Sequence, residues 1–259
     1  MSGVRRVVSL VPSLTEAVAV SAPGLLVGVT DWCTHPGDLG DAVRVGGTKN
    51  PDVRRITELR PDLVIANEEE NRAPDLAELR AAGVEVLVTE VRDLPQALRE
   101  LDRVLVGALG LVRPGWLADA ERAWAGAGPV GALAASASAS ASASASASAF
   151  VPIWRRPWMV LGRDTFAGDL LARLGVRNVY AGHAERYPRV PVEELAAADC
   201  DLVVLPDEPY RFTREDGPEA FPDLPAALVS GRHLTWYGPS LAEAPAVLGA
   251  QLREAAAGP

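Results

Sequence analysis

The stretch DLVIANEEENRAPDLAELRAAGVEVLVT, residues 62–89, decides the fold class. It opens on a short apolar run ending at Ala66 and bounded by polar residues, which reads as a strand. APDLAELRAAG, residues 73–83, has helical spacing and stops at Gly83. VEVLVT then reads as a second strand, ending at Thr89. A strand, a helix and a strand in so few residues form the unit of a mainly parallel α/β sheet. The same alternation runs back to the start of the chain. RVVSLV, ending at Val11, and LLVGVT, ending at Thr30, read as strands, and SLTEAVAV between them as a helix with Ser13 and Glu16 at capping-box spacing.

From residue 94 to about 127 the pattern is helical throughout, either one long helix broken near Pro114 or two shorter ones. The Ala-Ser alternation at residues 136–149 has no large apolar side chain and reads as a linker or surface excursion. After Phe150 the α/β pattern resumes, with strands PWMVLG, VRNVY, DLVVLP and HLTWYG and helices at 164–174, 192–198 and 241–253. The expected organisation is an N-terminal α/β lobe at 1–92, a bridging helical segment at 93–130, an Ala-Ser linker at 131–150 and a C-terminal α/β lobe at 151–259. Open α/β sheets bind ligands outside the carboxyl ends of their strands, so a cleft between the lobes is the expected site.

Composition removes several function classes. At 259 residues and 48% hydrophobic content the chain can bury a sizeable core. A net charge of −9 argues against a nucleic-acid footprint, which needs clustered Lys and Arg. Cys33 and Cys200 form no CxxC pair, so neither a disulfide framework nor a structural zinc site is indicated. The apolar run from Val7 to Val11 is interrupted by Ser9 and halted by Pro12. It is too short for a secretory h-region, no lipidated cysteine follows, and no run approaches the roughly 20 apolar residues of a membrane span. As written, the chain is expected to be cytoplasmic without membrane insertion, and extracytoplasmic if the start is mis-assigned or the chain is a mature form.

Tryptophan and tyrosine gather at the strand ends, although aromatics make up only 5% of the chain. TDWCTHP places Trp32, Cys33 and His35 after the second strand. PIWRRPW places Trp154 and Trp158 around a strand start, ERYPRV places Tyr187 before a helix, LPDEPYRF places Tyr210 after a strand, and LTWYGP closes with Trp236 and Tyr237. Any one of these is accounted for by packing. Together at loop positions, flat faces with polar edges suit a large, partly hydrated ligand.

These residues carry a family resemblance. VVSLVPSLTE, VGVTDWCTHP, VGGTKNPDVRRITELRPDLVIAN, YPRVPVEELAAADCDLVVLP and LTWYGP, in that order, resemble the helical-backbone (class III) substrate-binding proteins of ABC transporters, a periplasmic-binding-protein family. Within it the chain is most similar to cobalamin-binding and iron-siderophore receptors, over nearly its whole length apart from the Ala-Ser tract. The resemblance implies two α/β lobes bridged by a long backbone helix, a shallow cleft and no large hinge closure. It implies ligand-contact positions at Trp32, Thr48, Asn67, Trp158, Tyr187, Thr235, Trp236 and Tyr237. Thr48 and Asn67 stand where the family has stacking rings, which leaves room beside cobalamin for another corrinoid, a haem-like macrocycle or a ferric siderophore. The ligand is then a metal chelate, no cofactor is required, and the partner is an ABC permease. Family members present one acidic residue per lobe to that permease: Glu193 stands at one such place, and Arg54, of reversed charge, at the other.

Glu68, Glu69 and Glu70 read as capping and solvation before the helix that follows Pro74, as rim contacts to a cationic or metal-bearing ligand, or as acid-base groups. Cys33 and His35 are the only tempting pair of metal ligands, against turn-stabilising roles beside Pro36. No nucleophile elbow, phosphate loop or HExxH motif occurs. The chain therefore reads as a binding protein and not an enzyme. The alternatives are a cytoplasmic sequestering or regulatory protein that keeps the receptor fold, and an enzyme acting on a corrinoid-type ligand.

Overall fold

A computed structural model describes residues 3–130 and 147–256. The chain divides into two compact units. The first comprises Met1–Val91, Pro95–Asp119 and Tyr237–Pro239; the second comprises Arg92–Leu94, Ala120–Trp236 and Ser240–Pro259.

The first unit is built on a five-stranded parallel sheet. Its strands are β1 (Val7–Ser9), β2 (Leu26–Val29), β3 (Val43–Arg44), β6 (Leu63–Asn67) and β7 (Val86–Thr89), in the spatial order β3-β2-β1-β6-β7. A small antiparallel hairpin, β4 (Gly46–Gly47) and β5 (Asn50–Pro51), lies between β3 and β6 in sequence. Every residue of β1 and β6 is buried, as expected of central strands covered on both faces. Val8, Leu10, Val64 and Ala66 pack against Leu76 and Leu79 of the helix Ala73–Ala81. The helix Pro12–Ser21 starts on its proline with Val11 as N-cap and no side-chain cap. The expected capping box is therefore corrected: Ser13 and Glu16 lie inside the helix, both buried, because Pro12 already supplies the first-turn geometry.

The second sheet is also parallel, ordered β11-β8-β12-β13. Its strands are β8 (Ala147–Phe150), β11 (Val176–Asn178), β12 (Leu202–Pro206) and β13 (Ala226–Val229). An antiparallel hairpin of β9 (Pro152–Arg155) and β10 (Trp158–Val160) precedes β11. Most of the expected Ala-Ser linker lies outside the described residues, but its end does not. Ala147–Phe150 is a fully buried inner strand, paired with β11 on one side and β12 on the other. Small side chains suit this place, where Phe150 supplies the bulk and meets Phe221 edge-on at 5.0 Å.

The helical stretch after β7 comes as two helices, one of the two possibilities left open by the sequence. Leu94–Asp102 runs on into a π-helical stretch, Arg103–Ala108, and the second helix is Gly115–Ala125. Gly110, at φ +66°, and Pro114 lie in the interruption. HLTWYG is corrected from a strand: His233–Thr235 end the helix Gly231–Thr235, Trp236–Gly238 follow it outside any strand, and the first N–H of that helix donates to Asp207 Oδ1 at 2.6 Å. That carboxylate at the helix start overrides the β propensity of the segment.

Candidate functional site

At the carboxyl ends of β1 and β6, one buried side chain organises the first unit. Asn71 accepts from the Asn67 backbone N–H at 2.8 Å and donates to the carbonyls of Leu10 at 3.2 Å and Thr48 at 3.0 Å. It ties the end of β1, the end of β6 and the β4–β5 hairpin together. Asn67, 2% exposed, is a second organiser. Its Oδ1 accepts from the Glu69 N–H at 2.9 Å, and its Nδ2 donates to Thr89 O at 3.1 Å and Thr89 Oγ1 at 3.2 Å. Both ends of its amide are engaged, one in the turn and one at the end of β7. Thr48 sits half-buried in the hairpin turn.

The three glutamates form the turn that Asn67 and Asn71 close, with Asn71 N–H bonded to Asn67 O at 3.0 Å. None caps the following helix. Its first turn carries Asp75 instead, paired with Arg72 at 3.1 Å. Glu68 is exposed and Glu69 half-buried. Lys49 donates through its ammonium to the Glu69 carbonyl. Desolvation raises the Glu70 carboxyl from 4.5 to about 7, against the opposing charge of Lys49 and with the help of Glu69. Tyr237, buried beside it, has its phenol pushed well above the ordinary value by burial and by the charge of Glu70.

A measurable pH dependence results. The folded state holds the Glu70 proton up to about pH 7 and the unfolded chain only to 4.5, so this group lowers stability progressively as pH rises between those values. Glu70→Gln should flatten that slope. It should leave stability at about pH 4 little changed and raise it at about pH 8 by up to about 3 kcal/mol. Urea unfolding across that range checks this, and an unaltered slope would mean that the carboxylate is well solvated.

Trp32 is 66% exposed on the turn after β2. Arg44 holds that turn from below, donating through Nη1 to Thr30 O at 2.6 Å and Cys33 O at 2.9 Å. A side chain at Gly47 would come within 2.5 Å of Asn50 Oδ1 and 3.4 Å of the Trp32 indole nitrogen, so the indole rests against bare hairpin. Cys33 points the other way. It is fully buried, with its sulfur 3.0 Å from Thr15 Oγ1 and 3.2 Å from Thr30 Oγ1, and burial raises its thiol pKa. The His35 Nδ1 is 3.1 Å from Thr34 Oγ1, and among the described residues no three His, Cys, Asp or Glu side chains gather as a metal site.

In the second unit, Trp158 stacks on Phe212 at 6.0 Å with an 8° interplanar angle, meets Phe221 edge-on at 5.2 Å, and has the Arg155 guanidinium over its ring at 5.4 Å. It is half-buried, so part of the ring remains available. Tyr187, also half-buried, lies under the Arg186 guanidinium at 5.8 Å. Its loop passes over Gly162, where a Cβ would meet Glu185 O at 2.1 Å, so only glycine permits this approach. Trp236 and Tyr237 are packed, 8% and 5% exposed. The Trp236 indole donates to Glu208 Oε2 at 2.9 Å, and Thr235 Oγ1 donates back to Gly231 O at 2.8 Å within its own helix. Arg54 and Glu193 are both exposed, in the first turns of the short helices Val53–Glu58 and Val192–Ala196.

Sequence reading missed Asn71, Arg44 and Gly162. The doubled Asn around three glutamates was the available signal for the first; nothing local announces the other two.

No family model matches the chain. A vitamin B12-binding protein of Salmonella typhi is 23% identical over 203 residues, covering 77% of this chain and 71% of its own. A periplasmic heme-binding protein from Pseudomonas aeruginosa superposes with a TM-score of 0.74 at 26% identity, over 95% of this chain and 92% of its own. One from Roseiflexus sp. RS-1 gives 0.76 at 23%, over 98% and 100%. In sequence the chain is thus similar to vitamin B12-binding proteins, and in fold to periplasmic heme-binding proteins.

Proposed function

We propose that the protein binds a large metal chelate of the corrinoid, haem or ferric-siderophore kind, as the substrate-binding component of an ABC importer. The observation that carries this reading is Trp32, a tryptophan 66% exposed yet held on a braced turn at a strand end. An unliganded core has no use for it there, and a flat aromatic face suits a macrocycle or aromatic chelator. Trp158 and Tyr187 are the corresponding faces of the second unit. Asn67, Trp236 and Tyr237 support the walls from within. The relatives named for vitamin B12 and heme agree with this ligand class.

Import requires a permease contact and an extracytoplasmic place. Among the described residues no helix is long and apolar enough to cross a membrane. Exposed Glu193 is the proposed acidic contact of the second unit. Arg54 makes the first unit's contact one of reversed charge, so its permease partner carries an acidic residue at that point.

Spectral and calorimetric titration of the purified protein against cyanocobalamin, haemin and ferric siderophores tests the reading. At least one should bind with a Kd of about 1 μM or tighter, and Trp32→Ala and Trp158→Ala should each weaken it tenfold or more. Failure of all three classes to bind would refute it.

A further inference from the structure

We propose that a groove on the second unit receives an anionic substituent of the ligand, a carboxylate or phosphodiester, so that the physiological chelate is an acidic one. The proposal rests on the chelate-binding reading above and sharpens it. The groove has a volume of about 530 Å³ and is lined by the β9–β10 turn, Arg155, Arg156, Pro157 and Trp158, and by the segment carrying Arg189 and Val190. No acidic side chain lines it, in a chain whose net charge is −9.

The three arginines are not equivalent. Arg155 is committed: it pairs with Asp216 and Glu219, and its guanidinium covers the Trp158 ring. Arg156 and Arg189 are exposed, and among the described residues neither guanidinium has a hydrogen bond or an ion pair. Their backbones are nevertheless fixed. Arg156 is in the hairpin turn, between Arg155 and its strand partner Trp158. Arg189 is bridged to Met159, with Val190 N–H bonded to Trp158 O at 3.2 Å and Val160 N–H to Pro188 O at 3.1 Å. Two uncommitted guanidinium forks on a braced frame, in a groove that Trp158, Pro157 and Pro191 also line, match an acid group attached to a flat apolar body. A solvated surface would satisfy the same arginines with water alone, and the two cases differ in what they do to affinity.

The test uses haemin and its dimethyl ester, dicyanocobyrinic acid and its heptamethyl ester, and cyanocobalamin, whose acid group is a phosphodiester. Each is titrated into the wild type and the Arg156→Ala/Arg189→Ala variant at about 50 and 500 mM salt. The wild type should bind an acid form about tenfold or more tighter than its ester, or bind cyanocobalamin with the same arginine dependence. The preference should shrink with salt and vanish in the variant, whose thermal midpoint should match the wild type. A carboxylate preference with arginine-independent cyanocobalamin binding assigns the groove to carboxylates, and the reverse assigns it to phosphate. If a macrocycle binds but the ester pairs are equal and cyanocobalamin affinity is unchanged in the variant, the groove proposal falls alone. If neither the five nor any ferric siderophore binds, the chelate reading falls and takes this proposal with it; if only a ferric siderophore binds, an affinity unchanged in the variant overturns the groove proposal alone.

Discussion

Asn71→Ala is expected to lower the unfolding free energy by about 3 to 5 kcal/mol, the largest single-residue stability loss foreseen in the first unit. The side chain makes three hydrogen bonds to backbone groups of Leu10, Thr48 and Asn67. Removing it leaves buried groups unpaired, and each costs about 1 to 3 kcal/mol when water cannot reach it. Asn71→Asp is expected to be no better, because a carboxylate would face two carbonyl oxygens. Urea unfolding of both variants measures this. A loss below about 1 kcal/mol for Asn71→Ala would mean that water takes over the amide's contacts, and that the strand ends are not knit by it.

The second large effect separates two tryptophans that the sequence could not distinguish. Trp236→Ala should cost about 3 to 5 kcal/mol, since it empties a packed site and leaves Glu208 without its indole donor. Trp32→Ala should change stability by no more than about 0.5 kcal/mol, because the ring is largely in solvent, while weakening chelate binding tenfold or more. Thermal and urea denaturation of the two variants, with affinity measured alongside, checks the contrast. Equal stability losses would overturn the division between contact and support.

That contrast shows where sequence reading works in this chain. The apolar runs at β1, β6 and β12 are legible because parallel strands buried on both faces must be continuously apolar. The βαβ pattern around residues 62–89 needed nothing else. Ala147–Phe150 was illegible because alanine and serine carry no strand signal of their own; its burial comes from β11 and β12 on its flanks. HLTWYG has β-rich composition, yet its first half ends a helix whose first N–H is held by Asp207, more than twenty residues away. At the candidate site, residue type and strand-end position nominate Trp32, Trp158 and Tyr187, which are exposed or half-buried. Depth did not follow from either: Asn67, Trp236 and Tyr237 occupy strand-end or loop positions and are buried all the same. Arg44 is a bare cation in the sequence and becomes a brace through two carbonyls brought to it by the turn at residues 30–33.

The central claim is that a metal chelate is held by the strand-end loops, with packed polar and aromatic residues behind them. Hydrogen–deuterium exchange of the protein, free and saturated with the tightest-binding chelate, tests it most directly. The account predicts added protection in the Trp32 turn and the β4–β5 hairpin of the first unit, and in the β9–β10 turn and the Tyr187 loop of the second. Protection confined to other segments, with these four unchanged on saturation, would contradict it.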